Sequence, residues 1–109
     1  MHELAITQSI VETVGERCAG ARVTRVRLSI GKLSGVIPEA VQFCFELVAA
    51  GTPLADARLD IEEPGGWARC RSCGAEYATD DLILLCQCGS ADVDVLYGES
   101  LTIQSVEVM

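Results

Sequence analysis

The chain has 109 residues, half of them apolar, which fits one compact domain or one domain with a small insertion and excludes a disordered chain. Its 16 acidic residues against 8 Lys and Arg leave a net charge of −8, which repels phosphate backbones and argues against nucleic acid as a partner. No apolar run reaches the roughly 18 residues needed to span a bilayer. The first residues also lack the basic and apolar regions of a signal peptide, so the expectation is a soluble, cytoplasmic protein with no membrane role. Six cysteines without a secretory signal then point to reduced thiols, available as ligands, rather than to a disulfide framework.

In chain order, Leu4, Ile10, Val11, Val14 and Cys18 recur as one helix face requires, predicting a helix over residues 3–18 that Gly20 closes. Thr24, Val26, Leu28 and Ile30 alternate with Arg25, Arg27 and Ser29, the period of a half-buried strand over residues 22–31. Gly31 to Gly35 reads as a loop. Pro38 and Glu39 then suit the first turn of a second helix, whose apolar face is predicted as Ala40, Phe43, Cys44 and Leu47 and whose end is marked by Gly51 and Pro53. Ala57, Leu59 and Ile61 alternate with Arg58, Asp60 and Glu62 as a second strand, broken by Pro64-Gly65-Gly66. Beyond Gly98 strand character returns: Leu101 and Ile103 alternate, then Val106 and Val108 follow in the opposite phase across Ser105, which predicts a bulge. Each element has one apolar side to cover. The expected fold is therefore α+β, two helices packed on one face of a three-stranded sheet.

Residues 64–98 have another character and read as an inserted domain, with residues 1–63 and 99–109 forming the α+β body. Four of the six cysteines fall in this segment, which is too short to bury a core of its own without a staple or metal. They read Cys70-Arg71-Ser72-Cys73-Gly74 and Cys86-Gln87-Cys88-Gly89, with twelve residues between Cys73 and Cys86. In a zinc knuckle such a glycine relieves a tight turn, and backbone amides can point at the sulfurs. Four thiolates in two pairs match tetrahedral Zn(II). A closed four-sulfur site leaves no position for substrate, so this zinc is structural. The second pair is C-x-C, one residue short of C-x2-C, and demands either a tighter turn or one weaker ligand. A redox dithiol at Cys70 and Cys73 fits less well, because such a pair opens a helix and no helical period follows Cys73. Many zinc ribbons bind nucleic acid, but here Arg69 and Arg71 face Glu76, Asp80, Asp81, Asp92 and Asp94; a docking role fits better. Cys18 and Cys44 lie on apolar helix faces and read as small core residues.

The first three residues raise a separate question. His2 is too large for removal of the initiator methionine, so Met1 is expected to keep a free amine. That amine, the His2 amide nitrogen and the His2 imidazole can close two fused chelate rings in one plane, with a fourth position for another nitrogen or for a carboxylate such as Glu3. Square-planar nitrogen and oxygen ligation suits Ni(II) or Cu(II), and zinc poorly. Taken alone the motif reads first as a frayed terminus, and the positive end of a helix disfavours a cation. Yet the single histidine of the chain stands at the one position where it can chelate with the amine.

Met1-His2-Glu3-Leu4, the strand-loop-helix from Leu28 to Glu46 with Gly31, Pro38, Phe43 and Phe45, the paired Cys-Gly knuckles, and the ending from Gly98-Glu99-Ser100-Leu101 to Val108 together resemble the HypA/HybF nickel metallochaperone family. The resemblance covers essentially the whole chain. It implies a Ni(II)-binding body of two helices on a three-stranded sheet carrying Met1, His2 and Glu3, and a structural zinc domain inserted before the last strand. It further implies delivery of nickel to the [NiFe]-hydrogenase large subunit precursor with the HypB GTPase, and in some bacteria service to urease maturation proteins. The family commonly shows C-x-x-C in the second knuckle, where this chain has Cys86-Gln87-Cys88. Two rival readings remain: a zinc-ribbon interaction adaptor without a nickel role, and a metalloenzyme using His2 and Glu3. The enzyme reading finds no H-E-x-x-H, no second histidine and no phosphate loop, so a non-enzyme is expected.

Overall fold

The computed structural model describes residues 2–109. Its elements run α1 (Glu3–Arg17), β1 (Val23–Ile30), α2 (Pro38–Ala49), β2 (Arg58–Glu62), β3 (Gly66–Cys70), β4 (Glu76–Thr79), β5 (Val93–Tyr97) and β6 (Leu101–Val108). They build two three-stranded sheets, ordered β2-β1-β6 and β4-β3-β5. The expected α+β fold with a cysteine-bearing insertion is the one adopted.

In the first sheet β1 is central because its apolar alternation is the longest. Val26, Leu28 and Ile30 are buried against the helices, and Thr24, expected to share their side, is exposed. The connection through α2 brings β2 alongside β1 in parallel, while β6 returns antiparallel on the other side. Arg27 pairs with Ser105 and Leu28 with Ile103, so Gln104 is the extra residue of a bulge. That is the phase slip that the alternation of Ile103 and Val106 foretold.

One apolar cluster fills the space between sheet and helices: Ile10, Val11 and Val14 from α1, Val41, Phe45 and Ala49 from α2, and the inward side chains of β1 with Leu54 and Leu59. Two expectations need correction here. The buried face of α2 is Val41, Phe45 and Ala49, whereas Phe43 and Leu47 stand 64% and 61% exposed. The sequence from Val41 to Ala49 is apolar nearly all round, so periodicity alone does not choose between two neighbouring stripes. On α1, Leu4 is half-exposed, and Glu3 and Thr7 are buried in its place. The Thr7 hydroxyl donates to the Glu3 carbonyl oxygen at 2.6 Å, which removes the penalty of burying it. Cys18 is partly buried against the cluster and Cys44 is half-buried, so both lie closer to the helix flanks than to the interior.

The two sheets meet where Gly31, Gly66 and Gly98 cross. A Cβ on Gly31 would overlap the Gly98 carbonyl, and Gly98 itself has φ +106° with Gly66 Cα 2.6 Å from where its own Cβ would stand. Only glycine permits backbones to approach this closely. Three backbone bonds lock the crossing: Gly31 N–H to Ser100 O, Lys32 N–H to Pro64 O and Leu33 N–H to Gly98 O, each 2.9 to 3.0 Å. The Leu33 side chain is buried and faces Gly66.

Candidate metal centres

Cys70 ends β3 and is buried, Cys73 closes the turn that follows and is exposed, and Cys86 and Cys88 repeat that buried and exposed pair on the second turn. All four Sγ atoms lie within 4.8 Å of one another, with Cys70 to Cys88 at 3.6 Å and Cys73 to Cys86 at 3.5 Å. Zinc–sulfur bonds of about 2.3 Å in a tetrahedron put sulfurs about 3.8 Å apart, so this donor set and spacing fit zinc.

Backbone bonding shows how the short second knuckle is accommodated. In the first, Cys70 N–H donates to Ala75 O at 2.8 Å and Gly74 N–H to Cys70 O at 2.9 Å; in the second, Cys86 N–H donates to Ser90 O and Gly89 N–H to Cys86 O, both at 2.9 Å. The same pair of bonds is kept with each loop one residue shorter. Gly74 and Gly89 take φ of +79° and +92°, the left-handed turn that the Cys-Gly pattern called for. The N–H groups of Cys73, then Ser72, and the neighbouring Cys88 and Cys86 sulfurs hold the Cys70 thiol down to about 6 against the opposing effect of burial.

Sequence reasoning missed the residues that brace these turns. The Arg71 guanidinium reaches Asp92 at 3.1 Å and also bonds Asp94, while its N–H donates to Asp92 O at 2.9 Å. Ser72 and Ser90 hydroxyls meet at 2.8 Å. Trp67 Nε1 donates to Glu76 at 2.8 Å, Arg69 pairs with the same carboxylate, and the Trp67 ring stacks on Tyr97 at 6.4 Å. None of these partners follows a local period, so only the paired composition of Arg and Asp in residues 69–94 hinted at them. Tyr77 on β4 buries a hydroxyl with no partner among the described residues; burial, then the charges of Cys86, Cys70, Cys88 and Cys73, push its pKa up.

Met1 lies outside the described residues. His2 is exposed at the N-cap of α1, with φ −122° and no side-chain capping bond. Glu3 is buried, and its Oε2 accepts from Ile37 N–H at 3.1 Å, tying the first turn of α1 to the start of α2. An acidic residue in that first turn also offsets the positive end of the helix.

Residues 1–108 match the family model described as hydrogenase/urease nickel incorporation, metallochaperone, hypA. The chain belongs to this family. Among relatives, the hydrogenase maturation factor HypA of a Nostoc species is 51% identical over 99% of this chain and 96% of its own length. That of Geotalea uraniireducens is 49% identical over 99% of both. The solution structure of the Ni metallochaperone HypA from Helicobacter pylori superposes with a TM-score of 0.68 over all of this chain and 98% of that one, at 23% identity, which speaks for the fold. Members of this family are metallochaperones by description, and their part in hydrogenase maturation implies partner proteins. Among the described residues no helix is long and apolar enough to cross a membrane.

Proposed function

We propose that the chain is a cytoplasmic nickel carrier, not an enzyme, that binds Ni(II) through the Met1 amine, the amide nitrogen and imidazole of His2, and Glu3, and hands it on during [NiFe]-hydrogenase maturation. The observation that carries this reading is the family match over residues 1–108, whose description names nickel incorporation. In support, the chain's single histidine, second in the sequence, is solvent-exposed and makes no side-chain capping bond to α1. A planar nitrogen chelate that includes the exposed His2 suits the reversible binding that a carrier needs. Residues 1–63 and 99–109 form the nickel-binding domain and residues 64–98 the inserted one. There Cys70, Cys73, Cys86 and Cys88 hold Zn(II), which supplies a structural staple and no chemistry. The HypB GTPase and the hydrogenase large subunit precursor are the partners that this role requires, with urease maturation proteins as further clients.

The test is nickel titration of protein with its native, untagged start. His2→Ala, or two residues added before Met1, is expected to abolish high-affinity nickel binding while zinc content stays at one per chain. Protons compete with the metal for its ligands, so affinity is expected to weaken as pH is lowered. X-ray absorption of the nickel-loaded protein without terminal nitrogen donors, or nickel binding untouched by His2→Ala, would leave a zinc-stapled adaptor instead.

A further inference from the structure

Arg71 stands between the first two cysteines, yet every polar contact it makes leads to the far side of the site. Its backbone N–H and its Nη1 both hold Asp92, at 2.9 and 3.1 Å, and Nη2 bonds Asp94. These two carboxylates flank Val93, the first residue of β5, which pairs with Cys70 in the sheet. The chain therefore leaves the second knuckle at Cys88, passes Gly89 and Ser90, and is fastened at Asp92 and Asp94 to the turn carrying Cys70 and Cys73. Cys88 is the exposed ligand of the contracted knuckle, with its sulfur 3.6 Å from that of Cys70. Its turn has one residue fewer in which to adjust, so the position of its sulfur depends on where the exit strand is anchored. Two carboxylates taken by one planar guanidinium make that anchor stiffer than a single ion pair does.

We propose that Arg71 is the positioning residue of the zinc centre: by clamping Asp92 and Asp94 it holds the Cys86-Gln87-Cys88 turn closed and sets how fast the metal is lost. This rests on the zinc reading of the four cysteines. The clamp side chains are roughly half exposed, at 58% for Arg71, 60% for Asp92 and 43% for Asp94, so salt screens the clamp and should be felt at the metal.

The experiment follows zinc release from the full-length protein to a chromogenic chelator, at low and at high sodium chloride. In the unaltered chain salt is expected to speed release. Arg71→Met keeps the apolar stem and is expected to release zinc roughly fivefold faster at low salt, with the salt response gone. Asp94→Asn leaves the Arg71 to Asp92 pair in place; it is expected to move in the same direction by less, and serves if Arg71→Met does not fold. Cobalt(II) substituted for zinc should keep its four-sulfur absorption bands in both variants, because the donors are unchanged. Release rates within about twofold of the parent, or faster release that keeps the parent's salt response, overturn the proposal, the second by showing a general loosening of the sheet. Failure of the zinc reading looks different: the unaltered protein would then carry less than one zinc, and Cys88→Ser would not change it.

Discussion

The Tyr77 hydroxyl is buried on β4 beside the four sulfurs and has no partner among the described residues. A buried donor left unpaired costs on the order of 1 to 3 kcal/mol, so the phenol is a liability unless it donates to a thiolate. Tyr77→Phe is expected to leave stability unchanged or raise it by up to about 1 kcal/mol. Urea unfolding read from the fluorescence of Trp67, the single tryptophan, gives the answer. A loss larger than about 1 kcal/mol would show instead that the hydroxyl bonds to sulfur. At this scale the cysteines were legible because the short spacing of each pair is itself the chemical signal, and Gly74 and Gly89 were legible because a tight turn at a fixed offset from a cysteine needs a left-handed residue. Arg71 and Asp94 were not, being 23 residues apart with only the mixed Arg and Asp composition of the segment to hint at a pairing.

Helix α2 shows what a pattern can and cannot decide. Its existence followed from Pro38, Glu39 and the apolar run that ends before Gly51, and the helix does span Pro38–Ala49. Its inward face did not follow, because Phe43 and Phe45 are both flanked by apolar residues three and four positions away, so two stripes compete. What decides is tertiary: Val41, Phe45 and Ala49 are the residues that pack into the apolar cluster with α1 and the first sheet. Phe45→Ala is accordingly expected to cost about 3 to 5 kcal/mol, and Phe43→Ala less than about 0.5 kcal/mol. Thermal or urea melts of the two variants check this, and comparable losses would place both rings in the core. The middle of β1 was easier to read than the helix face because Val26, Leu28 and Ile30 keep a period of two, which fails only before Arg25, where the register with β6 shifts and Val23 is buried in place of Thr24. Even the bulge at Gln104 showed as a slip between Ile103 and Val106.

Over the whole molecule the two sheets are stabilised by different means. Every member of the buried apolar cluster lies between Ile10 and Leu59, so the first sheet carries the core. Between β3 and β5 the buried residues are Gly66, Ala68, Cys70 and Cys86, two of them small and two of them sulfur donors. Besides the proposed zinc staple, that sheet has the glycine crossing that joins it to the first and its surface ion pairs to hold it. The Arg71 guanidinium holds the Asp94 carboxyl below the usual carboxylate range, and Trp67, then Arg69, do the same for Glu76. Because folding lowers these values, their contribution is complete above about pH 5 and fades as pH falls through the folded values. Stripping zinc with a chelator at neutral pH removes the staple and spares the carboxylates. Amide hydrogen exchange is then expected to accelerate across residues 66–97, while α1, β1 and α2 keep their protection. Lowering the pH of the zinc-free protein below about 4 should accelerate residues 66–97 further as Asp94 and Glu76 take up protons, and should begin to loosen β1 and β2 as well, where Arg25 holds the Asp60 carboxyl down in the same way. Protection lost equally from both sheets on chelation would mean that the crossing of Gly31, Gly66 and Gly98 makes them a single cooperative unit, with the metal stabilising the apolar cluster from the far end of the chain.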